Sequence, residues 1–253
     1  MSIARAYVLE SRFEFIKLLR LPTYVVSTLA IPVMFYIFFG LMFGEQRIGQ
    51  ITQATYLLAT YGTFGVMAAT LFGFGVSVAV ERGQGWLLLK RASPMPPFAY
   101  FCAKIVTSTA FSAVIVALLF TCGAAFGGVR LAPSAWFALA GALVLGALPM
   151  CAIGLAIGSL AGPNSAPGIV NLVYLPMSFL SGLWIPISYL PPVVQHIAPF
   201  LPAYHLGQLA LGVLGAGNGG AWWIHVLALL GFASIGLSAA AFGFRRDEGR
   251  TYG

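Results

Sequence analysis

An all-α integral membrane protein is the fold class this sequence predicts, and three observations predict it. Hydrophobic residues make up 60% of the 253 and charged ones only 8%, against roughly 25% charged in a soluble domain. From 131 to 244 no Asp, Glu, Lys or Arg occurs. The charges that exist cluster at 5–20, 45–47, 81–104, Arg130 and 245–250. A chain so poor in charge has lipid as its solvent, and in lipid a helix satisfies its own backbone. The net charge of +7 reads as topology-setting loops rather than a nucleic-acid surface.

The first element, residues 1–20, is an amphipathic helix. Ala4, Tyr7, Val8, Ser11, Phe15, Leu18 and Leu19 recur at three- and four-residue spacing, with Arg5, Glu10, Arg12, Glu14, Lys17 and Arg20 off that stripe. Such a helix is expected in the cytoplasmic membrane interface. No signal peptide is expected there, since no short apolar run with a small-residue cleavage site is present.

Residues 21–253 read as a transmembrane domain of six helices, each needing about 20 apolar residues. The runs are Leu21–Gly44, Ile51–Val80, Ile105–Val129, about 135–160, Ile169–Trp184 and Ala221–Phe244. Pro32, Pro149 and Pro176 fall inside spans and predict bends. Gly162 to Gly168 predicts a tight turn between spans four and five. Between spans five and six, 185–220 holds Pro186, Pro191, Pro192, Pro199 and Pro202 yet stays apolar. A re-entrant helical hairpin accommodates both facts, because broken backbone at membrane depth must be covered. Lys and Arg count eleven to two in favour of cytoplasmic termini.

The absences narrow the chemistry. Lys17, Lys90 and Lys104 follow Ile16, Leu89 and Ala103, so no phosphate-binding Gly-Lys loop exists. Asp247 is the only aspartate, and His196, His205 and His225 are scattered. No catalytic residue, metal site or cofactor is therefore expected on the chain. Gly73-Phe74-Gly75 lies within an apolar span and reads as close helix packing. Cys102, Cys122 and Cys151 read as core thiols. Spans without a central charge argue against proton coupling.

The loop after span two is the largest polar element. Residues 84–92 predict a short helix ended by Pro94, with Trp86, Leu87 and Leu89 as an apolar knob flanked by Arg82, Lys90 and Arg91. An exposed Trp-Leu-Leu-Leu run needs a partner to cover it.

Four segments in order resemble the permeases of the ABC-2 family of ATP-binding-cassette transporters. They are the basic helix running into Leu19-Arg20-Leu21-Pro22; Glu81-Arg82 with the leucine-rich helix and Ser93-Pro94; Leu180 to Pro186 followed by Leu190-Pro191-Pro192; and Pro199 to His205. The resemblance spans essentially the whole chain. It implies a dimer, with a second copy or a related permease, and two ATPase subunits that bind the ATP and Mg. It implies that Glu81, Arg82, Trp86, Leu87, Lys90 and Arg91 couple to the ATPase. It makes Arg12, Glu14, Lys17 and Arg20 part of a neighbouring interface helix, and 185–212 the closure of the outer end. The home implied is a cell inner (plasma) membrane, with export as the direction. The outer loops are shorter than those of the family's glycan exporters.

Tyr61, Phe64, Tyr174, Phe179 and Trp184 are candidate lining groups for a pathway, with Phe72 and Phe74. An amphipathic or lipid-like cargo, drugs included, is the expectation. The competing readings are an ATP-independent channel or secondary carrier, which predicts flux without a partner, and a scaffold, which predicts none.

Overall fold

A single long helix organises the chain. The computed structural model describes residues 3–92, 95–96, 98–218 and 220–251, with backbone alone at 41, 88, 91 and 247–251. Helix α1 is Ile3–Leu19. Helix α2 covers 22–42, opened by Pro22 at its first turn and widened by a π segment at Val26–Ala30. Proline suits that position because its missing N–H would be unpaired anyway. A two-residue hairpin, β1 Arg47–Ile48 and β2 Ile51–Thr52, leads to α3, Gln53–Gly83. Thr52 caps α3 by accepting the Thr55 N–H at 3.3 Å.

Helix α3 is the hub: 78% of its apolar window is buried, against 22–44% in the other long helices. It packs against α2, α5 (Ala99–Ala125) and α6 (Pro133–Leu160), and against α7 (Ala166–Leu180) and α9 (Pro202–Val213). Small residues allow this crowding. A Cβ on Gly158 of α6 would stand 2.9 Å from both the Gly75 carbonyl oxygen and Val78 Cβ of α3. Gly75 belongs to the π segment Leu71–Val76, so the expectation of glycine-mediated packing around Gly73-Phe74-Gly75 holds. Without a hydrophobic drive between helices in lipid, such close backbone approach supplies the contact. Helix α10, Trp222–Thr251, lies along α6 and α9.

Among the described residues five helices are long and apolar enough to cross a membrane: Pro22–Gly40, Gln53–Gly83, Ala99–Ala125, Pro133–Leu160 and Trp222–Arg246. The fifth expected span differs. Helix α7 has 15 residues and at 1.5 Å per residue rises about 22 Å, short of a core of about 30 Å. It stops at Ser181 because Gly182 turns left-handed (φ +76°). The third span begins earlier than expected, at Ala99, which draws Lys104 into the helix. The segment predicted as a hairpin forms α8, Pro192–Ile197, and α9, with single 3₁₀ turns at Ile187–Tyr189 and Ala198–Phe200. The short helix α4, Trp86–Ala92, follows Gly85 (φ +75°); the expected stop at Pro94 lies outside the described residues.

Helix α1 has two working faces. Leu18 of the predicted stripe is buried and the Phe15 ring lies 5.0 Å from that of Phe111 of α5, while Val8 is 67% and Leu19 52% exposed. The difference from the sequence reading lies in the charges: Glu14, read as off the stripe, is 4% exposed and paired with Lys104 of α5, and Glu10 pairs with Lys90 of α4.

Candidate functional site

The chain's polar chemistry concentrates where α1, the C-terminal turn of α3, α4 and the first turns of α5 meet. Lys104, 1% exposed, donates to Glu14 Oε1 at 2.6 Å, Ser77 Oγ at 2.7 Å and Glu81 Oε1 at 2.8 Å. Lys17 bridges Glu14 Oε2 at 2.7 Å and also Glu81. Tyr100 donates its hydroxyl to Glu81 Oε2 at 2.7 Å. Lys90 of α4 pairs with Glu10 of α1 and sits 4.6 Å from the centroid of the Tyr100 ring. These pairs set three carboxylates against three ammonium groups, so the cluster is balanced where burial would punish a net charge. Burial alone would lower the Lys17 pKa; the carboxylates of Glu81 and Glu14 outweigh it and raise it above the ordinary lysine value.

Four members, Glu10, Ser77, Tyr100 and Lys104, belong to no motif in the sequence. Lys104 is in phase with Tyr100, Ser108, Phe111 and Ile115, all buried on one side of α5. That four-residue spacing was the available signal, and Tyr100 shares it.

Helix α4 divides the residues assigned to coupling. Trp86 is 46% and Leu89 72% exposed, whereas Leu87 packs with Phe74, Val78, Tyr100 and Cys151. Glu81, expected at the surface, is 4% exposed and held inside the ion cluster. Lys90 also turns inward. Arg82 donates from Nη2 to the Ala161 carbonyl at 2.6 Å, closing the C-terminal end of α6. A seven-residue helix lying on the protein must bury one side, and on α4 that side took Leu87 and Lys90, while Glu81 and Arg82 belong to the end of α3. The Arg91 side chain lies outside the described residues. Of the interface-helix residues, Glu14 and Lys17 enter the cluster while Arg12 and Arg20 face outward.

Four of the aromatic candidates, Tyr61, Phe64, Tyr174 and Trp184, pack together. Phe64 stacks on Tyr174 at 4.6 Å and meets Trp184 edge-on at 5.6 Å; Phe35 joins them 5.4 Å from Trp184. Tyr61 lies 6.4 Å from Phe64. Tyr61, Phe64 and Tyr174 are buried within the chain, while Phe179 is exposed on α7 and outside this group. Tyr56 donates to the Gly182 carbonyl at 2.8 Å, tying the turn after α7 to α3.

Two histidines are hydrogen-bonded. His205 Nε2 is 2.8 Å from the Pro199 carbonyl and its Nδ1 is 2.9 Å from His225 Nδ1. A carbonyl only accepts, so Nε2 of neutral His205 carries the proton and His225 Nδ1–H donates. Among the described residues no three His, Cys, Asp or Glu side chains gather as for a metal.

A cleft of about 560 Å³ opens between α2, α3 and the start of α7. Its walls include Tyr24, Phe72, Val76 and Val80, with Lys17, Gln84 and Asn171 also lining it.

The sequence signature of the ABC-2 type transporter family matches residues 6–215. The chain is also 27% identical over 239 residues to YvfS of Bacillus subtilis (strain 168), which carries the name of a transport permease; the match covers 94% of this chain and 97% of the relative.

Proposed function

The chain belongs to the ABC-2 type transporter family, and on that premise we propose that it is the permease subunit of an ATP-driven exporter. In this reading α7 counts as a sixth, short span, α8 and α9 are re-entrant, and both termini are cytoplasmic. Two separate ATPase subunits bind the ATP and Mg. A second copy, or a related permease, completes the dimer. The setting is the cell inner (plasma) membrane.

One observation carries the reading: the elbow helix α4 offers Trp86 and Leu89 outward while Lys90 ties it to α1. Force applied to that knob reaches Glu10 on α1 directly. Through Glu14, Lys17, Lys104 and Glu81 it reaches α5 and α3. Alternating access needs such a part to bias two packings of the helices. The cleft beside Lys17 supports an amphipathic or lipid-like cargo, since apolar walls there sit beside polar groups and Lys17 is already neutralised by Glu14 and Glu81.

The test uses L89S, which alters an outward group away from the cleft that Trp86 helps to line. Wild-type chain purified from its native membrane carries an ATPase partner and supports ATP-dependent uptake into inverted vesicles. The variant inserts normally and loses both. Unchanged partner recovery and transport would refute the role, as would phosphate release by the isolated chain.

A further inference from the structure

The charges of α1 are sorted by face. At 100° per residue, Arg5, Arg12 and Arg20 fall within an arc of about 80°, and Glu10, Glu14 and Lys17 within another of about 60° roughly 130° away. The second arc is the one consumed by the ion cluster. All three arginines are exposed, interleaved with Val8 (67% exposed), Phe13 (64%) and Leu19 (52%). No carboxylate shares that face, because both of the helix's glutamates point inward to lysines. The apolar surface continues onto α2 through Leu21 and Val26, also exposed.

We propose that the outward face of α1 binds anionic phospholipid, with Arg5, Arg12 and Arg20 on the headgroup phosphates and Val8, Phe13 and Leu19 among the acyl chains. The chemistry decides the occupant. Guanidinium forks pair two N–H groups with phosphate oxygens, and apolar side chains between them want hydrocarbon rather than water. The exposed apolar groups run on through Leu21 and Val26 into α2, a helix apolar enough to cross a membrane, so the surface beside the arginines is continuous with lipid. The inward placement of both glutamates removes the repulsion that would otherwise weaken lipid binding. The same helix presses its other face on the cluster that holds α4, so lipid on one side steadies the elbow on the other. The binding claim stands without any reading of transport.

The experiment titrates dioctanoyl phosphatidylglycerol or dioctanoyl phosphatidylcholine into the full chain in nonionic detergent and counts bound molecules by native mass spectrometry. Each basic residue at an anionic lipid surface is worth about five-fold in affinity. The wild type should prefer phosphatidylglycerol by at least about ten-fold, and R5Q/R12Q/R20Q should bring the two lipids near parity. R5K/R12K/R20K should keep most of the preference. Raising salt from low to high ionic strength should reduce the wild-type preference, a readout independent of any variant's folding. Parity in the wild type, a preference that survives the glutamine triple, or one indifferent to salt would overturn the proposal. So would an R245Q/R246Q control that loses as much, which would make the effect one of net charge. Equal displacement by glycerol phosphate would show an anion site and not a lipid one.

Discussion

Lys104→Met tests whether the buried ion cluster holds the architecture together. Methionine keeps much of the side chain's length while removing the ammonium that bonds Glu14, Ser77 and Glu81 at 2.6–2.8 Å. Glu14 and Glu81 then share Lys17 alone, leaving one carboxylate in excess at a site where both are about 4% exposed. Breaking a buried pair by removing one partner costs about 3–5 kcal/mol. Glu81→Gln alone leaves Lys17 and Lys104 facing Glu14, an excess of the other sign and a cost of similar size. K104M/E81Q restores balance, because Lys17 and Glu14 remain paired at 2.7 Å. The two single costs should therefore fail to add, by at least about 2 kcal/mol. Unfolding of the purified chain in mixed micelles, followed by tryptophan fluorescence against the fraction of denaturing detergent, gives the three differences. Single variants within about 0.5 kcal/mol of wild type, or a double variant equal to their sum, would refute the reasoning.

Gly158→Leu should lower the melting temperature of the detergent-solubilised chain sharply, because its side chain meets the Gly75 carbonyl and Val78, whereas Gly168→Ala, with nothing within 4 Å, should not. The Lys17 ammonium, raised above the ordinary lysine value by Glu81 and Glu14 against the effect of burial, contributes stability that is fully present below the unfolded lysine pKa. That contribution is lost only as pH rises through the folded value. Amide exchange of α1 should accordingly stay protected up to about pH 10.5, and release near pH 8 would contradict the assignment. Bridging E10C to K90C with a short bifunctional thiol reagent, in a background lacking Cys102, Cys122 and Cys151, should lock α4 to α1 and stop ATP-dependent uptake. A cleavable bridge should restore it on reduction, and full uptake by the bridged protein would show that this pair does not move.

How much was legible follows from what each residue competes for. The spans were readable because lipid imposes one rule on every side chain over about 20 residues. The exception was the fifth, where hydropathy from Ile169 to Trp184 looked continuous but the left-handed Gly182 ends α7 at Leu180. Helix α4 was readable from its leucines, and its outward Trp86 and Leu89 were named. Its inward side was not, because facing requires knowing what lies behind, and Tyr100 and Phe74 arrive from other helices. The ion cluster was least legible. Counting lysines for topology treats Lys104 as a loop charge, and amphipathic periodicity treats Glu14 as solvated. Only their pairing, 90 residues apart in sequence, makes them interior groups. The aromatic candidates were read singly, and sequence could not show that Phe64 and Tyr174 stack with each other at 4.6 Å while Phe72 lines the cleft.

A buried ion cluster is a weak device for raw stability, since well-packed apolar residues often do as well. Its use here lies in what it specifies. Apolar contacts set register only through shape, whereas Lys104 satisfies Glu14, Ser77 and Glu81 only when α1, α3 and α5 are in register. The Glu10–Lys90 pair at the edge is different, because both side chains keep about a fifth of their surface exposed. Its partial access to water lowers the cost of separation relative to the Lys104 pairs, whose side chains are 1–6% exposed. A load on α4 would therefore part the outer pair before the inner ones, and the cluster behaves as a rigid block with one yielding edge. That edge is where α4 joins the body of the helices.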